Sequence, residues 1–265
     1  MVSGVFPNGV ATSDDDDYDL DLVCELDDHD NVSADKLKNG IVKPWLTNYK
    51  KPKTELEEKR CCWHVEYEDV PSFHMDVIPA MHHFDGMSGI RITNKNEASR
   101  QYSFQDSNPK GYIDWFYGTC RKKKQGAITR SITEHNVTDQ EDLKRNKNRT
   151  ILQKSIQILK RHRDIMFENN SEDKPVSIII TTLMGNLYDG EETILETITN
   201  FANSVEVYLL SNKKADHYSI PNPSLESEDF ANKWIEHPER QEAFFAWIRQ
   251  VKIDFDVVNL VQYSQ

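Results

Sequence analysis

Three aspartates in two apolar segments are the residues of this sequence that could do chemistry. Asp19 and Asp21 lie in DDDDYDLDLVCEL at residues 14–26, and Asp76 lies in SFHMDVIPA at residues 72–80. The aliphatic residues around them predict two strands. Carboxylates gathered on one sheet repel one another. Two divalent ions about 3.5–4 Å apart would neutralise them, activate an attacking hydroxyl and stabilise a leaving phosphate, which is the chemistry of nucleotidyl transfer.

The alternation of side chains along each strand decides which residues accompany the aspartates. Every second side chain of a strand shares a face, so Asp19 and Asp21 point the same way and His74 accompanies Asp76. Carboxylate oxygens suit Mg²⁺ better than imidazole does, so His74 is interpreted as a packing or supporting residue. A calcium loop starting at Asp14 is excluded, because an EF-hand needs glycine where Asp19 stands. A solvated strand edge is the ordinary alternative.

The composition bounds the class of protein. The 265 residues carry a formal net charge of −12 and are 37% hydrophobic, which is compatible with one large domain or two modest ones. The acidic balance argues against a nucleic-acid partner, because such surfaces need Lys and Arg to neutralise phosphates. No transmembrane run or signal peptide is recognisable, so no membrane association is expected. The spacing of the four cysteines suits neither a disulfide framework nor a zinc site. A protein of the reducing cytoplasm is therefore expected.

The periodicity of the sequence predicts the elements that position the aspartates. Residues 60–67 and 72–78 are predicted to form a hairpin of two strands, followed by a strand at 88–93. Residues 175–188 are apolar enough for a buried element, whose isoleucine run favours a strand and whose length favours a helix. Helical patterns occupy residues 151–165, 190–205 and 226–252.

Further motifs follow the aspartates along the chain. They are SNPKGY at 107–112, LKRHRD at 159–164, SIIITTL at 177–183, and NP at 222–223 with EDFANKW at 228–234. Together with the aspartate strands they resemble the bacterial CD-NTases. These are the cyclic GMP-AMP synthase-like and dinucleotide cyclase-like nucleotidyltransferases of anti-phage CBASS operons. The resemblance covers nearly the whole chain, and several motifs in one order are more specific than three aspartates alone.

The resemblance implies an α+β fold, in which a polymerase-β-like nucleotidyltransferase core with a mixed sheet packs against a C-terminal helical domain. The catalytic core is expected at residues 1–120, a polar linker at 121–150 and the helical domain at 151–265, with the active site in the cleft between the two domains. The family's activity implies an enzyme that joins NTPs into a cyclic di- or trinucleotide second messenger.

Residue by residue, the resemblance makes Asp19, Asp21 and Asp76 the ligands of two Mg²⁺ or Mn²⁺ ions. The ions would hold an NTP triphosphate and activate a ribose hydroxyl for attack on the α-phosphate. The implied partners are ATP, GTP or pyrimidine NTPs as substrates, operon regulators, and an effector that responds to the cyclic product.

The family pattern also implies four nucleotide-binding residues: Ser3, Lys160, Ser177 and Asn108. Each has an ordinary alternative. Lys160 could belong to a solvated helix face, Ser177 could cap a helix, and Asn108 could be part of the core. The aromatic residues near Asn108 could stack on a base.

The sequence departs from the family ahead of the first aspartate. The family carries Gly-Ser there, after a long N-terminal helix, whereas this chain has Val2-Ser3-Gly4 and no such helix. An N-terminally shortened chain would expose an apolar strip along residues 151–165 or 244–255. The alternative hypothesis is therefore a truncated, weakly active or inactive NTP-binding or interaction protein of the same fold. A third hypothesis is an RNA nucleotidyltransferase of the same core fold. The net negative charge of the chain argues against it.

Overall fold

The computed structural model describes residues 5–6, 18–26, 32–48, 54–67, 73–82, 89–122, 149–214 and 216–262. The contacts divide the chain into two units, Met1–Gly111 and Tyr112–Gln265. Most of the expected linker at 121–150 lies outside the described residues, so the expected domain boundaries stay a prediction.

The first unit is built on a seven-stranded mixed sheet. Its strands are β1 (Val5–Phe6), β2 (Tyr18–Leu26), β3 (Thr54–Glu58), β4 (Trp63–Tyr67), β5 (Phe73–His82), β6 (Ile90–Lys95) and β7 (Tyr102–Ser107). The order is β1-β2-β5-β4-β3, and β6 joins β5 to β7. Strands β2 and β5 are parallel, whereas the other pairs in this sheet are antiparallel. The predicted hairpin is confirmed, with Trp63 opposite Val77.

One face of this sheet is apolar and is covered by helical turns. A π-helical segment, Lys36–Val42, runs directly into α1 (Lys43–Asn48). Their buried side chains pack with those of the sheet in one cluster: Leu37, Val42, Leu46, Trp63, Val65, Val77 and Met81. The alternation along β2 and β5 places Leu22, Met75 and Val77 on this face and the aspartates on the opposite face. Further along the aspartates' face, Val23 and Ala80 form a separate apolar cluster with Ile90.

A lysine lies fully buried beneath that cover. The Lys38 side chain is 0% exposed, and its Nζ donates to the carbonyl oxygens of Lys59 at 2.5 Å and Arg60 at 3.0 Å. It also lies 3.6 Å from Glu58 Oε1, and Glu58 accepts a second bond from Lys95. Burial lowers the pKa of Lys38, and the Glu58 carboxylate opposes that change. Lys38 thus ties the π-helical segment to the turn between β3 and β4.

The second unit consists mainly of helices. They are α2 (Pro109–Cys120), which begins in the first unit, α3 (Ile151–Met166), α4 (Ser177–Leu187), α5 (Ile194–Ser211), α6 (Lys233–Glu236) and α7 (Pro238–Gln262). Two short hairpins join α5 to α6: β8 (Lys213–Lys214) with β9 (His217–Tyr218), and β10 (Pro221–Asn222) with β11 (Leu225–Asp229). The core is formed by aliphatic and aromatic side chains of α3, α4, α5 and α7. The expected fold class is confirmed.

Two local predictions in this unit are now decided. The apolar stretch at 175–188 forms a helix, because α4 buries residues around most of its circumference. The helix predicted from residue 226 is wrong at its start, since β11 occupies that position. The reason is a hairpin turn in which the Asn222 side chain accepts from the Ser224 amide at 2.9 Å. Asp229 then accepts from the amides of Ile220 and Ala231, both at 2.9 Å.

Several apolar side chains are exposed within the described part of α3 and α7, among them Met166 at 42%. Ile158 and Ile165 on α3 are 39% and 61% exposed, and Ile253 on α7 is 57% exposed. The exposed residues Lys154 and Arg161 lie on either side of Ile158 along the chain. Among the described residues, no helix combines the length and the apolar character needed to cross a bilayer.

Candidate functional site

The strand register brings two of the three aspartates into one row. Asp21 on β2 is directly opposite Asp76 on β5. Two residues earlier on each strand, Asp19 is opposite His74. Residues paired across neighbouring strands share a face, about 4.8 Å apart along the hydrogen-bonding direction. The Asp21 and Asp76 carboxylates therefore lie beside one another on the polar face of the sheet. Asp19 lies two residues before Asp21 on β2, at a position of the strand that belongs to the same face of the sheet.

Strand β4 extends this row with a histidine. His64 is opposite Asp76, and Glu66 is opposite His74. The Nδ1 atom of His64 lies 2.6 Å from Asp76 Oδ1, and the His64 side chain is 18% exposed against 37% for Asp76. A carboxylate has two oxygens and several lone pairs, so Asp76 can accept this hydrogen bond and still bind a metal ion.

Cys62 lies beside the same carboxylate. Burial, with the nearby Asp76 charge adding to it, raises the pKa of the Cys62 thiol to about 12. The residue therefore remains a neutral thiol at physiological pH and can donate to Asp76. The four cysteines all fall within the described residues and are free.

The second unit holds the expected phosphate-binding residues Lys160 and Ser177. Lys160 is half-buried on α3, and burial, followed by the neighbouring Arg163 charge, lowers its pKa to about 8. Ser177 is the first residue of α4. The buried Arg163 guanidinium donates to Ser177 Oγ at 3.0 Å and to the Pro175 carbonyl at 2.9 Å. Arg163 thus connects α3 to the start of α4, where backbone N–H groups are available to an anion.

A surface cavity of about 360 Å³ opens at the start of α4. Its lining includes Ser177 and three cationic side chains, Arg163, Lys174 and Arg240, against one acidic side chain, Glu172. Asp164 is paired with both Arg163 and Lys174, at 2.7 and 3.1 Å. The balance of charge in the lining favours an anion. Lys160 is not among the residues that line this cavity.

Asn108 has a structural role at the start of α2. It directly precedes Pro109, the first residue of the helix, and its Oδ1 accepts from the Gly111 amide at 3.0 Å. This is the geometry of a helix N-cap followed by proline at the first position. Asn108 is 6% exposed. The cap explains why asparagine occupies this position, and the base-binding role stays a prediction.

We expect Asn108→Ala to lower the free energy of unfolding by about 1 kcal/mol, because the Gly111 amide loses its acceptor. The melting temperature should fall by roughly 2–4 °C, as measured by differential scanning calorimetry. Asn108→Asp should restore it, since aspartate caps equally well. An unchanged melting temperature in Asn108→Ala would contradict the capping role.

The remaining expected site residues fall outside what the structure describes. Ser3 is not among the described residues, and for Asp19 only the backbone is described. The sequence interpretation missed His64 and Glu66. A signal for them was present, because the predicted strand at 60–67 places both on one face, and the predicted hairpin would set them against His74 and Asp76.

The chain is similar to known proteins in sequence and in fold. No family model matches the sequence. A c-di-GMP synthase of Roseivirga ehrenbergii is 29% identical over 238 residues, which cover 89% of this chain and 60% of that protein. The chain therefore spans less than two thirds of the length of this curated relative.

Solved structures share the fold. CdnG, a CD-NTase of Bradyrhizobium diazoefficiens in complex with GTP, matches with a TM-score of 0.72 at 16% identity, over 98% of this chain and 79% of that one. Elizabethkingia meningoseptica CdnE with GTP and Apcpp matches with a TM-score of 0.59 at 16% identity, over 94% of this chain and 81% of that one. GTP-bound Vibrio cholerae DncV matches with a TM-score of 0.58 at 15% identity, over 93% of this chain and 57% of that one. These structures confirm that the chain has the fold of the CD-NTases, as the motifs indicated.

Proposed function

We propose that this chain, which has the fold of the CD-NTases, is a metal-dependent nucleotidyltransferase that joins NTPs into a cyclic di- or trinucleotide. The observation that carries the proposal is the register of β2 and β5, which sets Asp21 directly beside Asp76. Neighbouring carboxylates on one sheet face are the donor set that Mg²⁺ prefers. The named relatives, a c-di-GMP synthase and CD-NTases solved with GTP, support the same class of reaction.

Each aspartate has a defined task in this proposal. Asp19, Asp21 and Asp76 bind the two Mg²⁺ or Mn²⁺ ions. When bound, the ions neutralise the triphosphate, lower the pKa of a ribose hydroxyl and stabilise the leaving pyrophosphate. Asp76 is held by His64, whose Nδ1 lies 2.6 Å from Asp76 Oδ1. His64 is thus a positioning residue, which limits the rotation of the carboxylate that must meet the metal.

Two residues of the second unit, Lys160 and Ser177, are the proposed contacts of the triphosphate. Lys160 provides a compact charge, and Ser177 provides a hydroxyl at the start of α4, with Arg163 holding the serine at 3.0 Å. Asn108 and Ser3 complete the proposed nucleotide contacts. The cyclic product would act on an effector in an anti-phage operon, whose regulators would control the enzyme.

Incubation of the chain with four labelled NTPs and Mg²⁺ or Mn²⁺ tests the proposal, with mass spectrometry of the products. We expect a cyclic oligonucleotide that forms only when the divalent ion is present. The Asp21→Asn variant is the matched control for contaminating enzymes. A chain that is folded by circular dichroism, binds NTP and forms no product would favour the alternative of an inactive NTP-binding protein.

The role of Lys160 makes a separate prediction. Lys160→Ala should raise the KM for NTP, because a hydrogen bond to a charged group contributes about 1–3 kcal/mol, which corresponds to roughly 5- to 150-fold. The matched control is Arg161→Ala, which removes an exposed cation from the next position of α3. Equal KM values in both variants and the unmodified chain would show that Lys160 belongs to a solvated helix face and does not bind NTP.

The lowered pKa of Lys160 also predicts how nucleotide binding depends on pH. The ammonium is charged below its pKa of about 8 and loses its proton above it. Since phosphate binds the charged form and raises its pKa, NTP affinity should decline progressively as pH rises above about 8. Isothermal titration calorimetry with a non-hydrolysable NTP between pH 7 and pH 9.5 measures this. Lys160→Arg should flatten the profile, because arginine stays protonated. If NTP affinity declined equally with pH in Lys160→Arg, the pH dependence would come from another titrating group.

A further inference from the structure

A group of three metal-ligating side chains lies next to the aspartates on the polar face of the sheet. His64 and Glu66 come from β4 and His74 comes from β5. Their candidate ligand atoms all lie within 4.8 Å of one another. The two imidazole rings are stacked, with centroids 5.2 Å apart and planes 22° apart, and His64 Nε2 is 3.5 Å from Glu66 Oε1. The register of β4 and β5 creates the group, because Glu66 is directly opposite His74.

Asp76 orients one of these ligands. The His64 Nδ1 atom is 2.6 Å from Asp76 Oδ1, so a neutral His64 carries its proton on Nδ1 and donates it to the carboxylate. The lone pair of His64 is then on Nε2, the nitrogen that faces Glu66. A carboxylate that fixes the tautomer and direction of a ligating histidine is the usual support of a transition-metal site.

We propose that His64, Glu66 and His74 bind a transition-metal cation such as Zn²⁺, at a site distinct from the Mg²⁺ ions on the aspartates. Two imidazoles and one carboxylate match the ligand preference of Zn²⁺, whereas Mg²⁺ prefers oxygen atoms alone. Zinc–nitrogen distances of about 2.0–2.1 Å place tetrahedral ligand atoms roughly 3.3 Å apart. The ligand atoms, which lie within 4.8 Å of one another, need to approach by up to about 1.5 Å. The Glu66 side chain, which is 51% exposed, has room to move. A water molecule would complete the tetrahedron.

Removal of bound metal from the full chain, followed by titration with Zn²⁺ in excess Mg²⁺, tests this site. Isothermal titration calorimetry should give one Zn²⁺ per chain that Mg²⁺ does not displace. Titration with Co²⁺ should give the intense visible absorption of a tetrahedral ion. His74→Gln and Glu66→Gln should each weaken Zn²⁺ binding at least about 10-fold. Asp76→Asn leaves the three ligands of this site in place but removes the negative charge that supports His64, and it should weaken Zn²⁺ binding by roughly 10- to 100-fold.

Two controls separate this site from its alternatives. His82→Gln removes a histidine that is paired with Glu25 at 2.8 Å, further along the same strand, and should leave Zn²⁺ affinity unchanged. Asp21→Asn should also leave it unchanged, because Asp21 is not a ligand of this site. Zn²⁺ binding that is lost in Asp21→Asn, or that survives both His74→Gln and Glu66→Gln, would overturn the proposal, as would an absence of stoichiometric binding. Glu66 is exposed, so Glu66→Gln tests the site even if His74→Gln fails to fold.

Discussion

Asp76→Asn and Asp21→Asn should each reduce nucleotidyl transfer by about 1,000-fold or more while the chain stays folded. A bound metal contributes several kcal/mol of charge stabilisation in the transition state, and each 1.4 kcal/mol corresponds to about tenfold in rate. Asparagine preserves the shape of the side chain, and its Oδ1 can still accept the hydrogen bond that His64 makes to Asp76. The rate of pyrophosphate release under saturating NTP and Mg²⁺ measures the loss.

The stability of the same variants provides a check on this interpretation. Without metal, the melting temperature should be unchanged or slightly higher, since removing one carboxylate relieves repulsion between Asp21 and Asp76. Glu57→Gln is the matched control, because Glu57 is opposite His64 in the same row but is paired with Lys59 at 2.5 Å. That variant should keep its activity. Near-normal turnover in Asp21→Asn or Asp76→Asn would refute the proposed metal chemistry.

Lys38→Met should destabilise the chain by at least about 2 kcal/mol, because two carbonyl oxygens lose their donor at a cost of about 1–3 kcal/mol each. Methionine fills most of the volume but leaves the carbonyl oxygens of Lys59 and Arg60 without the donor that now reaches them at 2.5 and 3.0 Å. Glu58 loses one of its cations but keeps Lys95 and the Tyr102 hydroxyl, the latter at 2.6 Å. Urea denaturation followed by tryptophan fluorescence measures the change.

Lys36→Met is the matched control for this prediction. Lys36 lies on the same π-helical segment but is exposed, so the substitution should change the free energy of unfolding by no more than about 0.5 kcal/mol. If Lys38→Met were as stable as Lys36→Met, the buried hydrogen bonds of Lys38 would contribute nothing beyond what an apolar side chain supplies by packing.

The polar face of the sheet was predictable in part. The alternation along β2 and β5 correctly separates the aspartates from their aliphatic neighbours, because a strand's period of two leaves little choice once one face must be buried. The direction of pairing was not predictable from the same pattern. His64 and Glu66 were missed, although the predicted hairpin offered a signal for them, because a polar pair on a strand is ordinarily solvated. The register with β5 shows what stands opposite them.

Three further features, the burial of Lys38, the strand β11 and the Asn108 cap, were not predicted from the sequence. Lys38 belongs to a polar stretch of sequence, and its burial depends on carbonyl groups of a turn more than twenty residues later. The strand β11 replaces the start of a predicted helix because its Asp229 carboxylate binds backbone amides that a helical pattern does not reveal. Asn108 was interpreted as a nucleotide-binding residue or a part of the core, whereas its local capping bond was open to prediction from the proline that follows it.

The parallel pairing of β2 with β5 has a consequence for how the protein folds. Parallel neighbours cannot be joined by a tight turn and need a long crossover, which here contains the π-helical segment, α1, β3 and β4. Asp21 and Asp76 therefore meet only after this crossover has closed, and closing it costs chain entropy before the strand contacts compensate. We expect the helices to form earlier during refolding. Recovery of activity would then report the completion of the central strands, and far-ultraviolet circular dichroism would recover ahead of it.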